Sequence, residues 1–121
     1  MTVTRVDRGW AGHFICSHSC LFRLNTLLIQ GRKRIVVSTV GNMRGDKKVS
    51  EIGLHRYYET MAFKAIKLGP YWDTDVTKPV EFFSPWGIFA KSASELPADV
   101  DNKANEMHEA VVAELSRKLC K

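Results

Sequence analysis

Three short apolar segments near the N-terminus constrain the fold of this chain most strongly. They are Trp10–Cys16, Leu21–Ile29 and Ile35–Val40. Each has the length of a β-strand, and the third is rich in β-branched residues, which favour strands. Between the second and third, Gly31 can adopt a positive φ, which predicts a hairpin turn over residues 30–33. The segments together predict a compact antiparallel sheet.

The second segment alternates, so that its two faces differ in polarity. Successive side chains of a strand point to opposite sides of the sheet. Arg23 and Asn25 therefore share one face, and the apolar side chains on either side of them occupy the other. The third segment adds Ser38 in the middle of an otherwise apolar run. The sheet is expected to have a polar, partly basic face, and such a face suits an anionic ligand.

The segment His55–Ala65 fits two secondary structures. Tyr57, Met61 and Phe63 share one face at strand spacing, whereas a helix would align Tyr58 and Met61 with the alanines nearby. We favour a strand. The strand places Arg56, Tyr58 and Thr60 on its more polar face. Further along, we expect a turn at Gly69–Asp73, a short strand at Val80–Phe83 and a turn or short strand at Trp86–Ala90.

The C-terminal segment has the clearest helical pattern. One apolar stripe at i+3/i+4 spacing comprises Val100, Ala104, Met107, Val111, Leu115 and Leu119. Asp99 or Asp101 is expected to cap its start. The chain therefore predicts a single α+β domain over residues 1–121, an antiparallel sheet with a C-terminal amphipathic helix packed on it.

Composition narrows the class of protein further. Hydrophobic residues make up 45% and charged residues 26% of the 121 residues, which is typical of a globular domain. The net charge of +5 favours acidic partners such as nucleotides, nucleic acid or an acidic protein surface. The apolar runs are too short to predict a leader or a membrane span, so a cytoplasmic protein without membrane contact is expected. The three cysteines are expected to be reduced thiols.

The densest group of reactive side chains is His13, Cys16, His18 and Cys20. Its spacing matches no common zinc pattern, and no second Cys pair follows, so no metal is predicted. These residues and Glu59 can be combined into a nucleophile and base, but the sequence has no nucleophile elbow and no Gly-rich phosphate loop. We therefore predict no catalytic residue, no cofactor and no enzymatic activity.

A better candidate is a set of side chains suited to a nucleotide. Arg23 and Arg56 are fork-shaped donors for phosphate, Asn25 offers an amide to a base edge, and Tyr58 offers a ring for stacking. Arg34, Trp72 and Asn105 are added as a further cation, a second stacking ring and a second amide. The alternative is an ordinary solvated sheet face, on which long side chains cover apolar surface. Among the remaining aromatic residues, Phe82 or Phe83 and Trp86 are expected in the core.

Several strings in the chain resemble a family of small phage- and prophage-encoded proteins. The strings are Gly9–Ile15, Phe22–Leu27, Ile35–Gly41, Arg56–Phe63, Gly69–Asp73 and Met107–Val112. The resemblance implies a phage origin and a location in the host cytoplasm. As a small basic sheet protein, the chain is also similar to the Thoeris anti-defence sponges, although no diagnostic binding motif of theirs is matched residue by residue.

That second resemblance implies a counter-defence protein that binds and sequesters a nucleotide-derived second messenger without catalysis. The ligand would be a cyclic nucleotide or an ADP-ribose-type molecule. A domain of this size has little room for a deep pocket, so a homo-oligomer is expected. Two alternatives stay open. One is an anti-CRISPR-like inhibitor that blocks a host defence protein through aromatic residues near Trp72. The weaker one is a nucleic-acid-binding accessory protein.

Overall fold

The computed structural model describes residues 2–8, 13, 20–43, 52, 56–88 and 97–120. Within these residues the chain forms one antiparallel sheet and one helix. The elements are β1 Thr4–Arg8, β2 Cys20–Gln30, β3 Lys33–Met43, β4 Tyr58–Leu68, β5 Tyr71–Val80, β6 Gly87–Ile88 and α1 Pro97–Leu119. The strand order is β1-β2-β3-β4-β5, and β6 pairs with β4. The predicted α+β class is therefore confirmed. No helix in these ranges is long and apolar enough to span a membrane.

Two glycine turns set the register of the hairpins. Gly31 has a φ of 61°, and Gln30 pairs with Lys33 across the turn between β2 and β3. Gly69 has the same φ, and Leu68 pairs with Tyr71 between β4 and β5. Glycine adopts this left-handed conformation without steric cost. The turn predicted over residues 30–33 is confirmed.

The helix packs on one face of the sheet and forms the main core there. Leu28 of β2, Val37 of β3 and Ala62 of β4 contact Val111 and Leu115 of the helix, and all five side chains are buried. Arg5 of β1 adds a bidentate ion pair to Glu109 of the helix, with both N–O distances at 2.6 Å. The predicted apolar stripe does face the sheet, where its side chains are described.

Other sequence-based expectations are corrected in detail. The segment that fitted two structures is a strand, β4, although it begins only at Tyr58. Tyr71–Asp73 belongs to β5 and not to a turn, because Gly69 and Pro70 alone reverse the chain. The strand expected at Val80–Phe83 is absent from the described structure, since β5 ends at Val80.

The remaining predicted segments are only partly covered. Trp10–Cys16 lies outside the described residues except for His13, and the loop at 44–50 lies outside them as well. A short strand does occur in the last expected segment, as β6. The helix begins at Pro97, two residues before the expected cap, because proline is well tolerated in the first turn of a helix.

One irregularity between β4 and β5 shapes the far end of the sheet. Phe63 pairs with Pro79, but the next paired residue, Ala65, lies opposite Thr74. The segment 75–78 of β5 therefore has no partner in β4, and Lys64 has none in β5. Such a bulge bends a strand and increases its local twist. Trp72 and Val80 stand on either side of the segment 75–78, and both line a cavity.

Candidate functional site

A cavity of about 450 Å³ lies at the end of the sheet where β3, β4, β5 and the last turn of the helix meet. We call it the basic cavity. Its lining residues are Arg32, Lys33, Arg34, Ile35, Lys64, Ala65, Trp72, Val80 and Leu119. Four of these carry a positive charge, one is a tryptophan and four are apolar. Within the part of the chain that the structure describes, no aspartate or glutamate lines it.

Arg34 and Trp72 form one wall of the basic cavity. The guanidinium carbon of Arg34 lies 4.7 Å from the centroid of the Trp72 ring, within the distance of a cation–π contact. Arg34 Nη1 donates a hydrogen bond to the carbonyl oxygen of Gly31 at 2.9 Å. Its Nε is buried and has no hydrogen-bond partner among the described residues. The wall thus offers a ring, a guanidinium plane and one buried donor without an acceptor.

The other three cations of the basic cavity are exposed, and no anionic partner lies near them among the described residues. Within the described residues, Arg32, Lys33 and Lys64 form no ion pair. Two lysines elsewhere show the contrast: Lys78 lies 3.8 Å from Asp75, and Lys118 lies 3.5 Å from Glu114. Unpaired like charges around one cavity repel each other. A bound anion would relieve that repulsion.

The fold holds Trp72 from the opposite edge of the sheet. Arg8, at the end of β1, donates from Nη1 to the carbonyl oxygen of Trp72 in β5. The same guanidinium donates to Oδ1 of Asn25, from Nε at 2.9 Å and from Nη2 at 2.6 Å. Since β1 and β5 are the two ends of the strand order, the sheet must curl for this contact to form. The position of the ring therefore depends on the curvature of the whole sheet.

A second polar cluster lies on the face of the sheet away from the helix. His13 Nδ1 is hydrogen-bonded to Ser38 Oγ at 2.7 Å, and His13 Nε2 lies 3.5 Å from Glu59 Oε2. The contact with His13 lowers the pKa of Glu59, against the effect of burial and with help from Arg56. Ser38 has no exposed surface, and His13 and Glu59 are also buried. The geometry ties β3 to β4 and gives the hydroxyl of Ser38 no opening to solvent.

Of the seven predicted ligand residues, the structure brings only Arg34 and Trp72 together in a cavity. Asn25 is buried beneath Arg8, with its Nδ2 lacking a partner among the described residues. Arg23 is exposed on β2, and Arg56 lies 3.7 Å from Glu59. Asn105 is exposed on the helix, away from the sheet.

Tyr58 is not available for stacking, contrary to the prediction, because the face of β4 that carries it lies against the helix. Its side chain is fully buried, with its ring packed edge-on against Phe22 at 5.4 Å and against Ala104 and Met107 of the helix. Tyr58 pairs with Gly41, and a side chain at residue 41 would collide with the ring. Tyr58 and Thr60 share a face of β4, as predicted, but both side chains are buried. No face of that ring is open to a base.

The other aromatic residues divide differently from expectation. Phe82 packs against the core, as expected. Phe83 is 93% exposed and Trp86 is 45% exposed, so Trp86 is not a core residue. Of the group His13, Cys16, His18 and Cys20, for which no metal was predicted, Cys16 and His18 lie outside the described residues. In the ranges that are described, no three His, Cys, Asp or Glu side chains group as metal ligands.

Sequence reasoning missed Arg32, Lys33 and Lys64. A signal for the first two was present, because they stand beside Arg34 directly after the turn glycine. Lys64 pairs with Ile35 across β3 and β4, which no local pattern shows. Comparisons of the chain with family models, with curated proteins and with solved structures gave no match.

Proposed function

We propose that this protein binds an anionic, nucleotide-derived small molecule in the basic cavity and holds it without converting it. The observation that carries the proposal is the convergence of Arg34 and Trp72 with three cations that have no ion pair in the described structure. Phosphate is matched by guanidinium and ammonium groups, and a base by a tryptophan ring or a guanidinium plane. The apolar lining from Ile35, Val80 and Leu119 suits the remaining ring surface.

The biological role proposed with this activity is phage counter-defence. A protein that sequesters a messenger lowers its free concentration when the protein is abundant and the complex is tight. The resemblance to small phage proteins supports this role, and the cavity supports the class of ligand. Cyclic nucleotides and ADP-ribose-type molecules are the ligands that we propose, in the cytoplasm of the host.

The test is isothermal titration calorimetry at physiological salt with cyclic mononucleotides, cyclic dinucleotides and ADP-ribose. We expect at least one of them to bind, and Arg34→Ala to weaken its binding at least tenfold, since a charge-assisted contact and a stacking plane are lost together. Trp72→Leu should weaken it as well. Ligand recovered after denaturation should be chemically unchanged. No heat with any member of the panel would refute the proposal.

Arg117→Ala provides the matched control. Arg117 is an exposed arginine on the helix, so its removal changes the net charge as Arg34→Ala does but leaves the cavity intact. The control should retain full affinity. Loss of binding in Arg23→Ala and not in Arg34→Ala would instead place the ligand on the polar face of β2. Circular dichroism of each variant establishes that it is folded.

A second candidate function, direct inhibition of a host defence protein, is favoured by one other observation. Backbone N–H groups of Phe83 and Ser84 donate to the Glu114 carboxylate at 2.7 and 2.8 Å, and Ser84 Oγ donates at 2.7 Å. These bonds hold Phe83 with its ring almost fully exposed. An exposed aromatic ring fixed on a short segment is typical of a binding hot spot.

A pull-down from host lysate separates the two candidates. An inhibitor should recover one protein, and Phe83→Ala should abolish that recovery while changing the free energy of unfolding by less than about 0.5 kcal/mol, because the ring is exposed. A messenger-binding protein should recover a metabolite instead. The Arg34→Ala variant should then release the metabolite, and Phe83→Ala should keep it.

We also propose that the protein is a homo-oligomer. Ile66, Leu68 and Tyr71 lie on one face of the β4–β5 hairpin, where each is at least 41% exposed. A two-stranded ribbon is marginally stable alone and gains from packing against another surface. A second copy of this chain, packed face to face, would cover these side chains. Light scattering should show a mass above that of one chain, and Leu68→Glu should reduce it to a monomer.

A further inference from the structure

The charge of the basic cavity also constrains how many phosphates its ligand carries, an inference that rests on the proposed function. Four cations surround a volume of about 450 Å³, and none of its lining residues in the described part of the chain is a carboxylate. A cyclic mononucleotide has one negative charge, whereas nucleoside di- and triphosphates have about three and four at neutral pH, since the second phosphate pKa is about 6. We infer that the cavity prefers a ligand with two or more adjacent phosphates.

The arrangement of the cations supports this preference. Arg32, Lys33 and Arg34 all line the cavity near the start of β3, and Lys64 lines it from β4. A single phosphate cannot contact side chains spread over two strands as well as a chain of phosphates can. Trp72 and Arg34 occupy the wall on which the base would lie. The phosphates would then extend from that wall toward the exposed cations.

The size of the cavity limits the ligand to one nucleotide unit. A volume of about 450 Å³ is within the ordinary range for small-molecule pockets. It accommodates a base, a sugar and a short phosphate chain, with the exposed cations at its opening. A second base would have to lie outside the lining residues. The preferred class is therefore a mononucleotide with a di- or triphosphate, or with a diphosphate bridge to another group. Of the ligands proposed above, ADP-ribose-type molecules belong to this class, and cyclic nucleotides should bind more weakly.

The experiment compares adenosine, AMP, ADP, ATP and cyclic AMP by calorimetry in magnesium-free buffer at 0.15 M salt. Each added phosphate charge should strengthen binding about fivefold, because one charge near four cations gains about 1 kcal/mol after screening. The order should be ATP over ADP over AMP, with cyclic AMP below AMP. Equal affinities across this series would overturn the inference and leave the proposed function standing. No binding of any nucleotide, including those tested above, would overturn both.

A triple variant tests whether these cations cause the order. Arg32→Gln, Lys33→Gln and Lys64→Gln combined should bring the affinities for AMP and ATP to within about twofold, because the exposed positive charges are gone. The control combines Lys78→Gln, Lys103→Gln and Arg117→Gln, which removes the same net charge outside the cavity. A control that loses the order as fully as the cavity variant would show a nonspecific charge effect and refute the inference. Melting curves for both variants exclude unfolding as the cause.

Discussion

A chain of buried hydrogen bonds joins the helix to the sheet through His108. Thr26 Oγ1 donates its only proton to Asp7 Oδ1 at 2.7 Å. Thr26 must therefore accept the hydrogen bond from His108 Nε2, which lies 2.8 Å away. The neutral imidazole consequently carries its proton on Nε2. A surface carboxylate thus fixes the tautomer of a histidine that is 1% exposed.

The other side of the ring resists protonation. Thr39 Oγ1 lies 2.7 Å from His108 Nδ1 and donates to it, and Thr60 Oγ1 lies 2.6 Å from Thr39 and donates in turn. A proton on Nδ1 would force both hydroxyls to reverse within a region where neither threonine is exposed. Burial is the main cause that lowers the pKa of His108, to about 4. We predict that the protein loses stability in mild acid for this reason.

The sign and size of the effect follow from linkage. In the unfolded chain His108 has its ordinary pKa of 6.5, so between pH 6.5 and pH 4 the unfolded state binds more protons than the folded state. The free energy of unfolding therefore falls as the pH falls through this window. At pH 5 the unfolded group is almost fully protonated and the folded group about one tenth protonated, which costs about 2 kcal/mol relative to pH 7. The paired carboxylates lose their stabilisation mainly at lower pH, because their folded pKa values are lowered.

The assay is urea unfolding of the wild type and of His108→Gln at half-unit steps from pH 7 to pH 5. Glutamine retains an amide N–H near the position of Nε2 but does not titrate. The wild type should be more stable at pH 7, and its advantage over the variant should shrink by about 2 kcal/mol at pH 5. All other residues are common to both proteins, so their contributions cancel in the difference. Nitrogen NMR of the native wild type reports the tautomer and pKa of His108 directly, even if the variant does not fold.

Parallel stability curves for the two proteins would refute this reasoning, since they would mean that His108 contributes no pH dependence. A native His108 that titrates near its ordinary pKa would refute it also. The same conclusion would follow from an NMR signal showing the proton on Nδ1, because the donation from Thr26 to Asp7 requires it on Nε2.

Two further predictions concern the packing around Gly41 and the hydrogen bonds that Phe83 and Ser84 donate to Glu114. Gly41→Ala should lower the free energy of unfolding by about 2 kcal/mol, because the added Cβ would lie 2.7 Å from Cγ of Tyr58 and 2.5 Å from the carbonyl oxygen of Tyr57. Urea unfolding measures this change. A variant as stable as the wild type would contradict the close packing of Gly41 against Tyr58. Hydrogen bonds from Phe83 and Ser84 overcome the effect of burial and lower the pKa of Glu114 to about 2. Glu114→Gln should therefore speed amide hydrogen exchange at Phe83 and Ser84, and unchanged protection would show that the carboxylate does not hold them.

The parts of the fold that local sequence predicts are those with a repeated pattern. The β-branched run at Ile35–Val40, the turn at Gly31 and the apolar stripe of the helix each need only neighbouring residues to be recognised. The start of β5 at Tyr71 was missed because Gly69 and Pro70 complete the turn in two residues. The bulge that follows cannot be predicted from the periodicity of the sequence, because it depends on which residues of β4 and β5 pair.

Local sequence patterns also do not show which face of a strand packs against the helix. Alternation correctly separates Tyr58 and Thr60 from Glu59, but it does not say which set is buried by the helix. Thr60 is polar and nevertheless faces the helix, because its hydroxyl donates to Thr39, which in turn donates to His108 of the helix. A polar strand face is therefore not always a solvent face. The same network makes His108, which lies on the polar flank of the helix sequence, one of its most buried residues.

Of the charged and aromatic residues that line the basic cavity, the sequence predicts Arg34 and Trp72. Side-chain chemistry predicts Arg34 and Trp72 as ligand residues, but their contact forms in a sheet that curls far enough for Arg8 of β1 to reach the Trp72 carbonyl. Because that curvature depends on long-range pairing, Arg8→Gln should displace the Trp72 ring, although Arg8 is not itself a lining residue. Ligand affinity should then fall in a variant that keeps every lining residue, whereas retained affinity would show that Arg34 alone positions the ring.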